Sequence, residues 1–553
     1  MLFTLHSYIF RELFKVFALA VLALTLILSL GSVLQPVQEY GVGPRQALHL
    51  MGYFLPITLT FVLPFAALFT SALVYGRFAG DNELDACKAS GISLLTLVYP
   101  GLALAIMVAI ANLVLSFYVT PVFVHMAEQS FKADAKQILF RNIQRRGYYK
   151  LKQDKRWYLI YADHANSQDD ILSGVIVTEG KGDRITNLTT VDSAKVEFDI
   201  HKRFNEVRII ARNPYHIRPE EGIGFSSEGL SLMREFGSLL GDDVKFKKID
   251  EMKKIQADPV RFDPIAKDAH DTYMQFITDL LAQDIKAKVT EDANSFYRLH
   301  SGEKIVEFTA KNCRVRDEKQ IELAEEVEVL ESNVVMAPDG LRKQMFRTLR
   351  CKKALLHIEG GDSLLNSTIT MELNSPSWQL ATDRAERVDR QEGIAIGRIR
   401  IPGLIPPKKV DICEVYKTEN VLDAIDKASK SSMLKEGPSS HLQGLQHQLQ
   451  RNIRKTLAEI AAELHSRLVF GIGCVPMILI GIGLGIMKKG GHLLSAFGVS
   501  CVPAGVLIVA IISGKHVTEN LGSQSFSGMI LMWAGLVFLS LLAVGLYCKL
   551  LKN

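Results

Sequence analysis

The residues of this chain best suited to chemistry are not spaced as chemistry requires. The nearest approach to a phosphate-binding loop is EGKGD at Glu179 to Asp183, but Lys181 is followed by Gly182 rather than Ser or Thr, and the leading glycine is misplaced. The seven cysteines (Cys87, Cys313, Cys351, Cys413, Cys474, Cys501, Cys548) stand singly, with no C-x-x-C or metal-ligand spacing. His6, His49, His125, His465, His492 and His516 lie alone near the ends of apolar runs, where they suit interfacial anchoring better than metal binding or catalysis. The chain is expected to catalyse nothing itself and to bind no cofactor or metal.

One segment stands apart. GRFAGDNELDACKASGIS, Gly76 to Ser93, is a short charged stretch between two long runs without charge. Asp81 suits a helix N-cap, Glu83 falls in the first turn where the helix dipole favours an anion, and Gly91 suits the C-terminal stop. That makes a helix of about two and a half turns. Leu84, Ala86, Cys87, Ala89 and Ser90 are small or apolar enough to enter a partner's groove. The same pattern also fits a solvated connector.

The elements around this helix are membrane spans. Of 553 residues, 48% are hydrophobic and 22% charged, with mean hydropathy +0.14, so the apolar residues are unevenly distributed. Six segments are long enough to cross a bilayer: Val16 to Leu34, Leu50 to Gly76, Ile92 to Val124, Leu468 to Met487, Leu493 to Ser513 and Ser527 to Cys548. The first exceeds the h-region of a signal peptide and is expected to remain as an anchor. Arg11, Lys15, Arg77, Lys88, Lys488, Lys489, Lys549 and Lys552 fall on one side of a six-span arrangement; the other side has only Arg45 and Lys515 in its short loops. Both termini and the Gly76 to Ser93 loop are therefore expected in the cytoplasm, and the block from His125 to Arg467 outside. The net charge of +5 is an orientation signal and does not indicate nucleic-acid binding.

The exported block begins in β-strand patterns at Trp157 to Ala162, Ile171 to Val177, Lys195 to Ile200 and Glu206 to Arg212. Strand patterns resume at Lys304 to Ala310, Gln320 to Leu330, Thr368 to Leu373 and Val410 to Tyr416, with Ile321, Leu323, Val327 and Val329 suggesting one buried face. A helical insertion separates the two sets. Leu442, Leu445, Leu449, Ile453, Leu457, Ile460 and Leu464 form one stripe of an amphipathic helix, either a stalk or a lever. The expected divisions are 1–124 (three spans, short helix at 81–91), 125–219 (β unit), 220–290 (helical insertion), 291–416 (second β segment), 417–467 (connecting helices) and 468–553 (three spans). None of the six span cores contains Asp, Glu, His or Lys, so any transport must draw its energy from outside the bilayer.

YIFRELFKVF at Tyr8 to Phe17, GRFAGDNELDACKASGIS after the second span, and AAELHSRLVF at Ala461 to Phe470 entering the fourth occur in that order within a three-spans, β-domain, three-spans plan. On these motifs the chain resembles the LptF/LptG lipopolysaccharide export permeases. The resemblance implies a helical membrane protein with a periplasmic β-jellyroll, in the bacterial inner membrane, as the permease subunit of an ATP-driven transporter. It implies as partners a cytoplasmic ATPase dimer, a second homologous permease, a periplasmic jellyroll bridge protein and lipopolysaccharide or a related glycolipid. It also makes 81–91 the ATPase-coupling helix, with Glu83 at the family's acidic position. Basic residues that often meet lipid phosphates near the outer end of the first span are replaced here by LSLGSVLQPVQEYG. Arg45, Lys132, Lys136 and Lys515 are the available substitutes, and each also suits interfacial anchoring. Leu159, Val196 and Phe198 are the candidate acyl-chain lining. A permease for another lipid or lipoprotein, and an anchored periplasmic scaffold or sensor, are the alternative readings.

Overall fold

A long apolar run in a bilayer has no water to satisfy its backbone amides and carbonyls, so it must fold as helix. The computed structural model describes residues 2–40, 44–153, 156–167, 169–181, 184–199, 205–212, 214–218, 223–226, 229–236, 243–291, 296–301, 304–316, 320–336, 342–360, 367–381, 391–394, 398–418, 420–431, 433–487, 493–520 and 525–552. Among these residues six helices are long and apolar enough to cross a membrane.

The chain opens with α1 (Leu2–Tyr40), α2 (Pro44–Gly80), the short α3 (Glu83–Ala89) and α4 (Leu94–Val114), which passes through a π-helical turn at Leu115–Val119 into α5 (Thr120–Arg146). Eight strands follow: β1 (Tyr148–Gln153), β2 (Arg156–Asn166), β3 (Ile171–Lys181), β4 (Arg184–Asp199), β5 (Asn205–Arg212), β6 (Tyr215–Arg218), β7 (Ile223–Ser226) and β8 (Gly229–Phe236). Then come α6 (Ile249–Ala257), α7 (Asp263–Glu291) and a second set: β9 (Tyr297–Ser301), β10 (Lys304–Thr309), β11 (Asn312–Arg316), β12 (Gln320–Met336), β13 (Arg342–Gly360), β14 (Ser367–Asn374), β15 (Ser377–Ala381), β16 (Gln391–Ile394) and β17 (Arg398–Leu404). Helices α8 (Ile412–Tyr416), α9 (Val421–Lys430), α10 (Ser440–Met487), α11 (Leu493–Asn520) and α12 (Ser525–Lys552) complete it. Residues Met1–Lys253 with Thr456–Asn553 form one unit, and Lys254–Lys455 a second.

In the first unit the spans pack through small residues, because lipid supplies no hydrophobic drive between helices and close backbone approach must supply contact instead. A Cβ added at Gly485 would lie 2.7 Å from the Ala72 carbonyl oxygen, and one at Gly481 would lie 2.5 Å from Ser71 Oγ. Larger residues at either position would push α10 away from α2. Tyr75 hydroxyl donates to the Leu97 carbonyl at 2.9 Å, tying α2 to α4 on either side of the loop that carries α3.

The first sheet is antiparallel with order β1-β2-β3-β4-β5-β8, and β6 joins β4 to β7. Strands β7 and β8 continue the sheet beyond residue 219, where the sequence suggested a helical insertion; α6 begins only at Ile249. Leu230 and Leu232 flanking Ser231 are the period-two signal for β8.

The second unit is organised by α7, whose Phe276, Ile277, Leu281 and Ile285 are all buried. Its sheet has order β16-β15-β13-β12-β10-β9, with β11 on β12 and β14 bridging β13 to β17. A bulge interrupts β12 between Ala324 and Val327, where Glu325 and Glu326 take left-handed φ values of 62° and 58°. Ile321 and Leu323 oppose Leu356 and Ala354, whereas Val327 and Val329 oppose Cys351 and Leu349. The buried set on β13 thus changes parity across the bulge, and the expected single buried face becomes two.

Val410 to Tyr416, expected as a strand, is helical instead. Lys408–Val410 is a 3₁₀ turn, and the Asp411 carboxylate accepts from the Cys413 and Glu414 amides to start α8. An N-cap bond satisfies amides that a strand would have paired with a neighbour, and here it outweighs the β-branched composition. The amphipathic stripe lies on α10, whose helix runs without interruption into the fourth span; Leu442, Leu449 and Ile460 are buried.

Candidate functional site

Helix α3 is built on an anchor and two stops. Asp81 does not cap it: Asn82 holds the cap position at φ 58° and makes no side-chain cap bond. A left-handed residue directly after the Asp81 amide bonds to the Arg77 carbonyl ends α2 and turns the chain, leaving the Asp81 side chain exposed. At the other end Gly91 adopts φ +82°, its amide bonds to the Lys88 carbonyl at 2.9 Å, and the Ile92 amide bonds to the Cys87 carbonyl at 3.1 Å. Only glycine takes that backbone geometry without strain, so Gly91 is the stop that the sequence indicated.

Leu84 is buried in the apolar core of the membrane half, and Cys87 and Ile92 pack against the same core. Glu83, Ala86, Lys88, Ala89 and Ser90 are exposed. The residues suited to a partner's groove are therefore divided. Leu84 and Cys87 secure the helix to its own chain, and Glu83, Ala89 and Ser90 form its free surface.

A second constellation lies at the entry to the fourth span. Arg467 Nε donates to Glu463 Oε1 at 2.9 Å, one turn back on α10. Its Nη1 donates to the Ser116 carbonyl at 3.0 Å and its Nη2 to the Lys245 carbonyl at 2.7 Å, while the guanidinium carbon sits 5.6 Å from the centre of the Phe117 ring. Lys515 on α11 pairs with Glu463 Oε2. Glu463 and Arg467 are both buried. Burial of such charges is tolerable only where each is paired and hydrogen-bonded, and the rigid five-donor fork of arginine can satisfy one carboxylate and several carbonyls together. Placing the fourth span at Leu468 hid this group, since Glu463 and Arg467 fall just before it. The readable signal was their i, i+4 spacing in AAELHSRLVF.

Two of the candidate phosphate-contacting cations are described, and each has a carboxylate partner within the chain. Lys515 belongs to the Glu463 pair, and Lys136 pairs with Asp170 in the turn before β3. The side chains of Arg45 and Lys132 lie outside the described residues. Of the candidate acyl-chain lining, Leu159 is half-buried and Val196 fully packed; the Phe198 side chain lies outside the described residues. Register places Leu159 opposite Thr178, which faces Leu188, and Val196 follows at an even interval on the same strand, so all share one face of the sheet. Tyr161 and Ile176 oppose each other on that face and are 40% and 37% exposed, which makes it an open apolar strip.

Isolated in sequence, these histidines have partners in the fold: His6 Nε2 lies 3.0 Å from the Thr96 carbonyl, His125 Nε2 lies 3.1 Å from Gln129 Nε2, and Trp533 Nε1 donates to His465 Nδ1 at 3.2 Å. Cys313, Cys351 and Cys413 are free thiols. Burial pushes them up to about 12, about 11 and about 11 respectively, with the Asp411 carboxylate adding to the effect at Cys413. Among the described residues, no group of three or more His, Cys, Asp or Glu side chains is placed to hold a metal ion.

The family model described as Lipopolysaccharide export system permease LptF/LptG matches residues 7–226 and 368–549. The first stretch includes α3 and the second includes Glu463, Arg467 and Lys515; residues 227–367 fall between the two. No curated protein matches the chain.

Proposed function

This chain belongs to the LptF/LptG family of lipopolysaccharide export permeases, and from that premise we propose how it works. It is a multi-pass transmembrane subunit of the lipopolysaccharide export ABC system, in which ATP hydrolysis belongs to a partner subunit. In our reading it pairs with a second homologous permease on a cytoplasmic ATPase dimer, takes lipopolysaccharide from the outer leaflet of the inner membrane and passes it to a periplasmic jellyroll protein. Both termini and α3 lie in the cytoplasm in this reading, on the evidence of the Lys and Arg asymmetry.

The observation that carries the coupling role is the two-sided construction of α3. A helix held by Leu84 and bracketed by Asn82 and Gly91 moves with α2 and α4, while its free side offers Glu83 among small residues. Force applied there reaches the spans. On the exported side, the strip of Leu159, Tyr161, Ile176 and Leu188 is the proposed acyl-chain track, because acyl chains crossing water unshielded would cost about 0.8 kcal/mol per CH₂.

The test is reconstitution. The chain, copurified with its ATPase and second permease into proteoliposomes, should release lipopolysaccharide to an added periplasmic bridge protein only when ATP is hydrolysed. Copurification with periplasmic proteins alone, without an ATPase, would return the chain to the scaffold reading.

A further inference from the structure

On the Ile321 side of the β12 bulge, the second sheet has one apolar face and one built from ion pairs in which cations outnumber carboxylates. Across five strands, β11, β12, β13, β14 and β17, register sets Arg314, Glu322, Leu355, Glu372 and Arg400 in a single transverse row. The period of two puts Arg316, His357, Lys353 and Arg398 on the same side in the flanking rows. The other side of these strands, with Ile321, Leu323, Leu356, Met371 and Ile401, is buried.

Each carboxylate in the row carries two cations. Glu322 accepts from Arg314 Nε at 2.7 Å and from Lys353 Nζ at 3.2 Å; Glu372 accepts from Arg398 Nη1 at 2.7 Å and from Arg400 Nε at 3.1 Å. The acids are sunk and the bases stand above them. Side-chain exposure is 5% for Glu322 and 4% for Glu372, against 68% for Arg314, 65% for Arg398 and 67% for Arg400. The Arg314 hydrogen bond holds the Glu322 carboxyl below its usual range, so the acid stays charged and keeps its cations fixed. A molecule reaching this surface meets N–H donors in excess of any acceptor, already oriented by the buried acids.

We propose that this face of the second unit binds the anionic saccharide headgroup of the exported glycolipid, its phosphate or carboxylate oxygens received by Arg314, Lys353, Arg398 and Arg400. The inference rests on the export reading and adds a headgroup site apart from the acyl-chain strip of the first sheet. Guanidiniums give two parallel N–H bonds to such oxyanions, and the strand spacing of about 4.8 Å repeats them across a flat array suited to several charges on one sugar chain. A protein partner would be expected to need an apolar or aromatic anchor at the centre. The row offers only half-buried Leu355, and among the described residues its rows contain no Trp, Tyr or Phe to insert into a membrane interface either. Arg314, Glu322 and Lys353 lie between the two stretches that the family model matches, and Glu372, Arg398 and Arg400 lie within the second.

The probe is the oligosaccharide of lipopolysaccharide freed of its acyl chains, titrated against the full chain with its partners in nanodiscs of zwitterionic lipid. Binding should weaken with added salt, and a neutral oligosaccharide of similar length should not compete. Removing the cations alone would strand a buried carboxylate, so two neutral triples are used: E372Q/R398Q/R400Q and E322Q/R314Q/K353Q. Each should bind about tenfold more weakly, the loss of roughly one charge-assisted contact. Unchanged binding by both triples, equal binding of the neutral sugar, or binding only of polyglutamate or of phosphatidylglycerol vesicles overturns the inference. ATP-driven release of intact lipopolysaccharide by the wild type is measured beside it. Release without oligosaccharide binding overturns this site alone, and absence of release overturns the export reading.

Discussion

Arg467 and Ser116 stand 351 positions apart, yet the Arg467 Nη1 donates to the Ser116 carbonyl at 3.0 Å. Ser116 lies within the π-helical turn of the third span, where the widened helix disturbs the i→i−4 ladder and makes carbonyls available to other donors. The same guanidinium holds the Lys245 carbonyl just before α6 and the Glu463 carboxylate. One side chain therefore joins the third span, the fourth span and the segment that follows the first sheet. Through Glu463 the fifth span is joined as well, by Lys515.

Arg467→Met should cost about 3 kcal/mol, the usual order for removing one member of a buried ion pair, because it takes a cation from the Glu463 carboxylate and a donor from the Ser116, Lys245 and Lys247 carbonyls. Arg467→Lys should recover little of it. An ammonium cannot reproduce the planar fork that reaches Glu463, Ser116 and Lys245 together. Melting of the purified chain in detergent reads the loss; a lysine variant with wild-type melting would show that only the charge matters.

Lys515 was a candidate for a lipid phosphate, but its pairing with Glu463 makes a different prediction. Lys515→Gln should destabilise the membrane half, and Glu463→Gln in the same chain should restore much of the loss by removing part of the uncompensated buried charge. A phosphate-binding role predicts the opposite pattern: weaker lipopolysaccharide binding that the second change does not repair. The double-mutant cycle, read by both melting and lipid binding, separates the two.

At α3 the two sides of the helix should respond differently. Glu83→Lys reverses a charge on the exposed side and should leave membrane insertion normal while abolishing ATPase association or transport. Leu84→Ala removes the buried anchor and should lower stability by about 2–4 kcal/mol before any effect on the partner. Wild-type association and export in Glu83→Lys would make α3 a solvated connector.

How much of this was legible follows from what each signal depends on. The spans, most strands and the Gly91 stop are local: apolar length, period-two alternation and a backbone geometry only glycine accepts. Val410 to Tyr416 misled because its β-branched composition is also local, while the Asp411 cap that overrides it depends on where the chain turns. Asp81 and Asn82 could not be ranked as caps from residue type, since both are good cap formers. The i, i+4 spacing encodes the Glu463 and Arg467 pair, but their partners Lys515, Ser116 and Lys245, like the paired cations of the second sheet, are brought from other segments by the fold, which no spacing along the chain encodes.

The free thiols test both burial and sidedness. The thiolate is the reactive form, and Cys313, Cys351 and Cys413 are held at about 12, 11 and 11, so at pH 7.5 all three should alkylate slowly, accelerating only as pH climbs toward those values. Exposed Cys548 should react readily, and with a membrane-impermeant maleimide only from the cytoplasmic side. A cysteine placed at Asp170 in a chain lacking the others should label only from the periplasm. Labelling of Cys548 and position 170 from the same side would overturn the orientation.

The proposed acyl-chain track makes a positional prediction within one strand pairing. Tyr161 and Ile176 face each other on the open side of the first sheet, with Leu159 on the same side, whereas Ile160 and Val175 face the other side and are buried. A photo-crosslinker at Leu159 or Ile176 should form adducts with lipopolysaccharide only when ATP is hydrolysed, because chains enter the strip only after extraction. At Glu197, one residue from packed Val196 and on the opposite side of β4, no adduct should form. Val196 itself is the discriminating position. Its side chain is fully packed in this conformation, so a crosslinker there should capture lipid only if the sheet opens during transport. Adducts at Leu159 and Ile176 but not at Val196 define a surface track. Adducts at all three define a conduit that opens. No lipid adduct at Leu159 or Ile176 removes the strip from the route, and Leu159 and Ile176 are then ordinary side chains of a half-buried sheet.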